Sequence, residues 1–182
     1  MVVGPFRLIS GLLPLLSATP GSRVISVTSG GQYAERLHLD DLQSTAEPWD
    51  GTRAYARAKR AQVSLMREWS RRIPASQIAF SAMHPGWADT PGLTAALPTF
   101  RQWMGPLLRS PEQGVDTMVW LAEDPGAIEL AGRLVLDRRA RPFDRIPSTR
   151  VAPMDRRRLW DAVVALAGIA DPWPDGPAVA VA

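Results

Sequence analysis

Tyr55 and Lys59 stand four residues apart, and on a helix that spacing sets two side chains one turn from each other on the same face. A free phenol titrates near about 10, and a cation held beside it favours the phenolate, so the pair forms an acid or base usable near neutrality. Lysine suits this task because its ammonium is a compact charge on a flexible stem, whereas arginine presents a rigid fork. The composition sharpens the point. Of 21 basic residues all but one are arginine, so Lys59 is the only lysine, and the one other tyrosine, Tyr33, has Leu37 at the same offset.

Such a pair works only if neighbouring elements bring it to a substrate. The run Arg23-Val24-Ile25-Ser26-Val27 follows the breaker Pro20-Gly21 and is too short for a helix, which predicts a buried parallel strand. It ends in Thr28-Ser29-Gly30-Gly31, and open α/β sheets bind ligands at the carboxyl ends of their strands. Ser29 is therefore well placed, although Ser-Gly-Gly is also ordinary turn chemistry. Asp50 or Thr52 can cap a helix running to about Arg72, with Tyr55, Lys59, Val63, Met66 and Ile73 on one stripe and the arginines on the other. A second strand over residues 77–83 ends in His84-Pro85-Gly86-Trp87-Ala88-Asp89-Thr90. Strand, helix and strand form one βαβ unit, with Ser29, Tyr55 and the Pro85-Gly86 turn at one sheet edge. His84 could serve as a general base, but beside a proline at a strand end it reads rather as structural.

Residues 8–18 are apolar and have the outline of a secretory signal. Only Arg7 precedes them, Pro5 and Pro14 interrupt them, and they fall short of the roughly 18–20 residues of a membrane span. The expectation is a buried helix with Phe6, Leu8, Ile9, Leu12, Leu13 and Leu16 inward. Asp40 and Asp41 read as a solvated turn or a cap rather than a metal pair. Leu97, Phe100, Trp103 and Leu107 share helical spacing and suit either core packing or a lid. Ser110-Pro111-Glu112-Gln113 is a capping box, predicting a helix to about Glu123 with Val115, Met118, Val119 and Ala122 inward. A last strand is expected over residues 133–136, and a last helix over 155–167 with Leu159, Trp160, Val163 and Leu166 inward. Residues 1–168 form the expected domain and 169–182 a loose tail.

Composition closes several alternatives. The chain has 182 residues, 46% hydrophobic, enough for one core. With no cysteine there is no thiolate site or disulfide framework, which fits a reducing, cytoplasmic setting. The net charge of +3 is too small to argue for nucleic acid. The groups Arg138-Arg139-Arg141-Arg145 and Arg156-Arg157-Arg158 lie beside acids and read as solvated surface. No membrane partner and no metal are expected.

The constellation of Ser29, then Tyr55-x-x-x-Lys59, then Pro85-Gly86 with Thr90 resembles the short-chain dehydrogenases/reductases. The Thr28-Ser29-Gly30-Gly31 turn, the long insertion before Tyr55 and the string HPGWADTPG are similar to the branch called SDR family member 12. The resemblance implies a Rossmann-type α/β fold and hydride transfer between NAD or NADP and a small-molecule carbonyl or alcohol. It makes Tyr55 the acid or base, Lys59 its activator and the holder of the nicotinamide ribose, and Ser29 the holder of the substrate oxygen. Pro85, Gly86 and Thr90 would join Tyr55 and Lys59 in binding the cofactor. The match departs from the family at its start. No G-x-G-x-x-G occurs among the 14 glycines, and Met1 occupies the place of the family's catalytic Asn. The expectation is the C-terminal portion of a doubly wound parallel-sheet domain, lacking the N-terminal βαβαβ half. Cofactor binding and turnover by the chain alone would then be weak. The first strand would be a naked edge open to self-association or to a separately encoded N-terminal half, and a non-catalytic pairing module is the alternative.

Overall fold

The computed structural model describes residues 1–96, 99, 102–103 and 105–174. Helix α1 (Val3–Ala18) leads into strand β1 (Arg23–Val27), a short 3-10 turn (Gly30–Tyr33) and a long loop. Helix α2 (Gly51–Arg72), strand β2 (Ala79–Met83) and helix α3 (Pro91–Ala96) follow. Then come helix α4 (Pro111–Glu123), strands β3 (Leu134–Leu136) and β4 (Arg139–Arg141), and helix α5 (Pro153–Ala167). The sheet order is β1-β2-β3-β4. β1 and β2 run parallel from Arg23↔Ala79 to Val27↔Met83, β2 and β3 are parallel, and β3 and β4 are antiparallel. This is the α/β arrangement expected, consistent with part of a Rossmann-type domain.

Both faces of the sheet are covered, and β2 is accordingly buried along its whole length. On one face Phe80, Ala82 and Leu134 meet α1, α2 and α5. There Trp69 stacks on Phe80 at 5.4 Å, and Phe6 and Trp160 close on it edge-on or tilted at 5.4 and 4.5 Å. On the other face Met83 and Val135 pack with Leu121 of α4 and Ala127. Asp50 caps α2 by accepting from the Thr52 and Arg53 amides, and the Ser110–Gln113 capping box opens α4 as its sequence predicts.

Several expectations are corrected. α1 is helical, with Phe6 and Leu13 buried and Ile9 and Leu16 packed against the core, but Leu8 and Leu12 face out, Leu8 being 64% exposed. A 3.6-residue period over one partner layer admits only one stripe, and Phe6, Ile9, Leu13 and Leu16 fill it. In α4 the buried residues are Gly114, Thr117 and Leu121, with Met118 packed against the core as expected, while Val115, Val119 and Ala122 are exposed. The helix turns this face because Gly114 lies against the Pro85 turn, where a Cβ would come 3.1 Å from that of Ala88. In α5 Leu159, Trp160 and Val163 are buried but Leu166 is exposed. The strand β4 is an addition. Its hairpin turns on Asp137 and Arg138, both in the left-handed region at φ 54 and 55, and Asp-Arg lacks the Asn-Gly signature that reveals such turns in sequence.

The tail is fastened as far as it is described. Trp173 packs against the core, and Arg72 donates to its carbonyl at 2.8 Å. Leu97 and Phe100 of the core-or-lid segment, and residues 175–182 of the expected tail, lie outside the described residues. Within that segment Trp103 and Leu107 are exposed. Among the described residues no helix is long and apolar enough to cross a membrane, and no three metal-ligating side chains gather.

Candidate functional site

The carboxyl ends of β1 and β2 bring the expected residues to one rim. Thr28 continues the β1 ladder by donating its amide to the Met83 carbonyl at 2.7 Å. Its buried hydroxyl donates to the Lys59 carbonyl at 3.2 Å, tying α2 to the end of β1. The Lys59 ammonium donates back to the Val27 carbonyl at 2.9 Å. Lys59 Nζ stands 5.5 Å from the centroid of the Tyr55 ring, so the i, i+4 geometry is realised with both groups on one face. Tyr55 is 41% exposed and reaches solvent. Burial pulls the Lys59 pKa below its ordinary value, which makes its proton easier to give up than that of a surface lysine.

Ser29 follows on the same rim. Its hydroxyl accepts the Gly31 amide at 3.3 Å and so caps the 3-10 turn Gly30–Tyr33, leaving the hydroxyl proton available for another acceptor. The Pro85-Gly86 turn leaves β2 beside it. Gly86 has φ +75, a backbone angle that favours glycine, and a Cβ there would lie 2.9 Å from the Arg109 Nε and displace that side chain. Arg109 holds this turn from outside. Its amide donates to the Trp87 carbonyl and its carbonyl accepts from Asp89, each at 2.8 Å, while its guanidinium grips Asp137 at 2.5 and 3.0 Å. The hydrogen bond to Asp137 raises the Arg109 pKa and lowers that of the carboxylate. Thr90 accepts the Leu93 amide at 3.2 Å at the start of α3.

His84 is buried with its ring edge-on to Tyr33 at 6.0 Å, and neither ring nitrogen has a hydrogen-bond partner. Burial first, then the charges of Arg145 and Arg109, push its pKa down, which fits a neutral structural histidine. Asp41 accepts from the Thr45 and Ala46 amides, a turn as expected.

Beneath the rim lies a polar clasp that periodicity did not reveal. Arg60, next to Lys59, is 1% exposed although the arginines of α2 were expected on the solvent face. It donates to Gln32 at 2.7 Å and to the Phe143 carbonyl at 2.9 Å, and also bonds Asp144 and the Thr149 carbonyl. Tyr33 donates to the Pro142 carbonyl at 3.0 Å. The segment after β4 is thereby fastened under the turn that follows Ser29. The only trace of this in the sequence is that Arg60 falls between Val63 and Ser64, both buried, on the helical wheel.

No family model matches the chain. It is 47% identical over 138 residues to human dehydrogenase/reductase SDR family member 12, a match covering 75% of this chain and 43% of that protein. The cattle protein of the same name is 40% identical over 168 residues, covering 91% of this chain and 52% of the relative. The chain thus spans about half the length of these relatives. A crystal structure of an uncharacterized protein from Mycobacterium paratuberculosis superposes with a TM-score of 0.65 at 24% identity, over 94% of this chain and 57% of that one, which shows the shared fold.

Proposed function

Because this chain belongs to the short-chain dehydrogenase/reductase family, we propose that its rim is the acid–base half of an oxidoreductase site. That site interconverts a small-molecule carbonyl and an alcohol with a nicotinamide cofactor, NAD or NADP. The observation that carries this reading is the Lys59 ammonium 5.5 Å from the Tyr55 ring, on a rim reached by solvent.

The residues present fit one end of such a cofactor. An ammonium, the Thr90 hydroxyl and the side-chain-free Gly86 turn suit the nicotinamide and its ribose, with Pro85 shaping the turn. Among the described residues no glycine-rich turn opens a helix to receive a pyrophosphate. When bound, the nicotinamide supplies or accepts the hydride. Tyr55 gives its phenolic proton to the carbonyl oxygen in reduction and takes it back in oxidation. Lys59 stabilises the negative charge that develops on the phenol oxygen and holds the ribose hydroxyls. Ser29 donates its hydroxyl proton to the substrate oxygen and orients it.

The test follows nicotinamide absorbance with NADH and NADPH against a panel of ketones and aldehydes. Tyr55→Phe is expected to lower turnover by about 10²–10⁴-fold. Unchanged turnover in the variant would remove Tyr55 as the acid.

A second reading rests on β1, whose only pairing among the described residues is with β2. Arg23, the charge that could blunt this edge, is turned away to bond the Leu121 and Asp124 carbonyls at 2.7 Å each. On this reading the protein is a non-catalytic module whose edge pairs with a second copy or with a separately encoded N-terminal half. Saturable binding of an N-terminal half without turnover would favour it, and a monomer that reduces carbonyls unaided would exclude it.

A further inference from the structure

A cavity of about 510 Å³ lies between the start of α1, the loop before α2, and α5. A second, of about 420 Å³, lies at the far end of the sheet from Tyr55, between the C-terminal end of α2 and the starts of β2 and β3. The two differ in charge. The first has Asp41 in its wall, and its Arg57 already faces Glu47 at 3.2 Å and Glu35 at 3.6 Å. The second is walled by Arg67, Arg71, Arg133 and Arg156, with no carboxylate among its described lining residues, and floored by Ile78, Phe80 and Phe143.

Among the described residues, the carboxylates nearest this second cavity are Glu68 and Asp144, each already bonded through one oxygen to an arginine. Glu68 is fully buried and bonds Arg71 at 2.7 Å and Arg72 at 3.1 Å. Asp144 is bonded to Arg60 and stands 4.0 Å from Arg67. The positive charge is therefore in excess, and the molecule shows the cost. Burial, then the charges of Arg156 and Arg60 against the pull of Asp144, take the Arg67 pKa down to about 10. Arg156 is lowered too, chiefly by burial, and its buried Nε has no hydrogen-bond partner. Arg67 lies over the Phe143 ring, its guanidinium carbon 4.1 Å from the ring centroid. Gly132, at φ +76, passes Ser70 with no side chain of its own in the way.

We propose that this cavity binds an organic phosphate, its phosphoryl group held by the arginine wall and its apolar body laid on the Ile78–Phe80–Phe143 floor. Arginine forks match phosphate oxygens two at a time, and a dianion would relieve the repulsion among half-buried guanidiniums. The site is separate from the catalytic rim and stands whether or not the rim is active.

Calorimetric titration of the whole protein tests it, with phenyl phosphate, inorganic phosphate and phenol as probes. Phenyl phosphate should bind saturably and about tenfold or more tightly than inorganic phosphate, with no binding of phenol. Arg133→Gln and Arg156→Gln should each weaken it about tenfold, whereas Arg138→Gln, on the β3–β4 hairpin, should leave it unchanged. Arg133 is exposed, so its removal keeps the fold intact even where the Arg156 variant unfolds. Phosphatidylcholine vesicles with and without phosphatidic acid distinguish the source. Arg133-dependent capture by the acidic vesicles assigns the phosphate to a lipid headgroup, and phenyl phosphate binding without capture assigns it to a soluble ester. Absence of saturable phenyl phosphate binding, equal affinity for phenol, or an equal loss in Arg138→Gln would overturn the proposal.

Discussion

The two ends of α2 solve opposite problems. Towards its C-terminus Trp69 is locked between Phe6, Phe80 and Trp160, and position is set by shape. Towards its N-terminus Tyr55 has solvent on one side, and position is set by directed bonds: Thr28 to the Lys59 carbonyl, and Lys59 to the Val27 carbonyl. A packed aromatic layer carries the stability, and a few hydrogen bonds carried by that rigid layer aim the side chains of the proposed site. The thinly packed end can carry exposed polar side chains because the other end over-determines the helix.

This division can be broken from either side. Trp160→Ala removes a fully buried indole from the aromatic layer and should cost about 3–5 kcal/mol of stability, read as a shift in the denaturant midpoint. Arg60→Leu should cost about 3 kcal/mol, since it removes the buried guanidinium that bonds both Asp144 and Gln32. It should also loosen the segment after β4, visible as faster amide exchange near Phe143. Thr28→Val keeps the shape but removes one buried hydrogen bond and should cost only about 1 kcal/mol, so a large loss of turnover with so small a loss of stability would locate the aiming in that bond.

The smallest effect concerns pH. His84 has its pKa depressed in the folded state by burial and by the arginines around it, Arg145, Arg109 and Arg141, against the opposing pull of Asp137. The unfolded chain therefore binds the proton more readily. Its contribution is fully present above an unfolded value of about 6.5 and is lost as pH falls below that towards the folded pKa. Melting curves at about pH 7.5 and about pH 5.5 should show a larger acid-side loss for the wild type than for His84→Leu. An equal loss would assign the acid sensitivity to other groups.

Much of the rim was legible because it depends on short-range geometry. A Tyr-x-x-x-Lys spacing on a capped helix, a β-branched run ending in Ser29 and a Pro-Gly turn each imply a local conformation, and together they imply one edge. The clasp of Arg60 with Gln32 and Asp144 was hidden, because its partners lie 28 and 84 residues away and an arginine among many reads as solvent-facing. The face of α4 was misread for a related reason. Its apolar Val115 and Val119 point outward because a close approach at Gly114 to the Pro85 turn outweighs their hydrophobicity.

The linear order of residues thus determined the elements, the Tyr55–Lys59 spacing and the family resemblance, since hydrophobic period, capping and i, i+4 spacing are properties of a few consecutive residues. Tertiary structure alone decided which arginines are buried, which face of each helix turns inward, and where unbalanced charge collects. Those outcomes depend on what distant segments bring into contact, and on the high cost of leaving a buried charge or a close-packed surface without its complement.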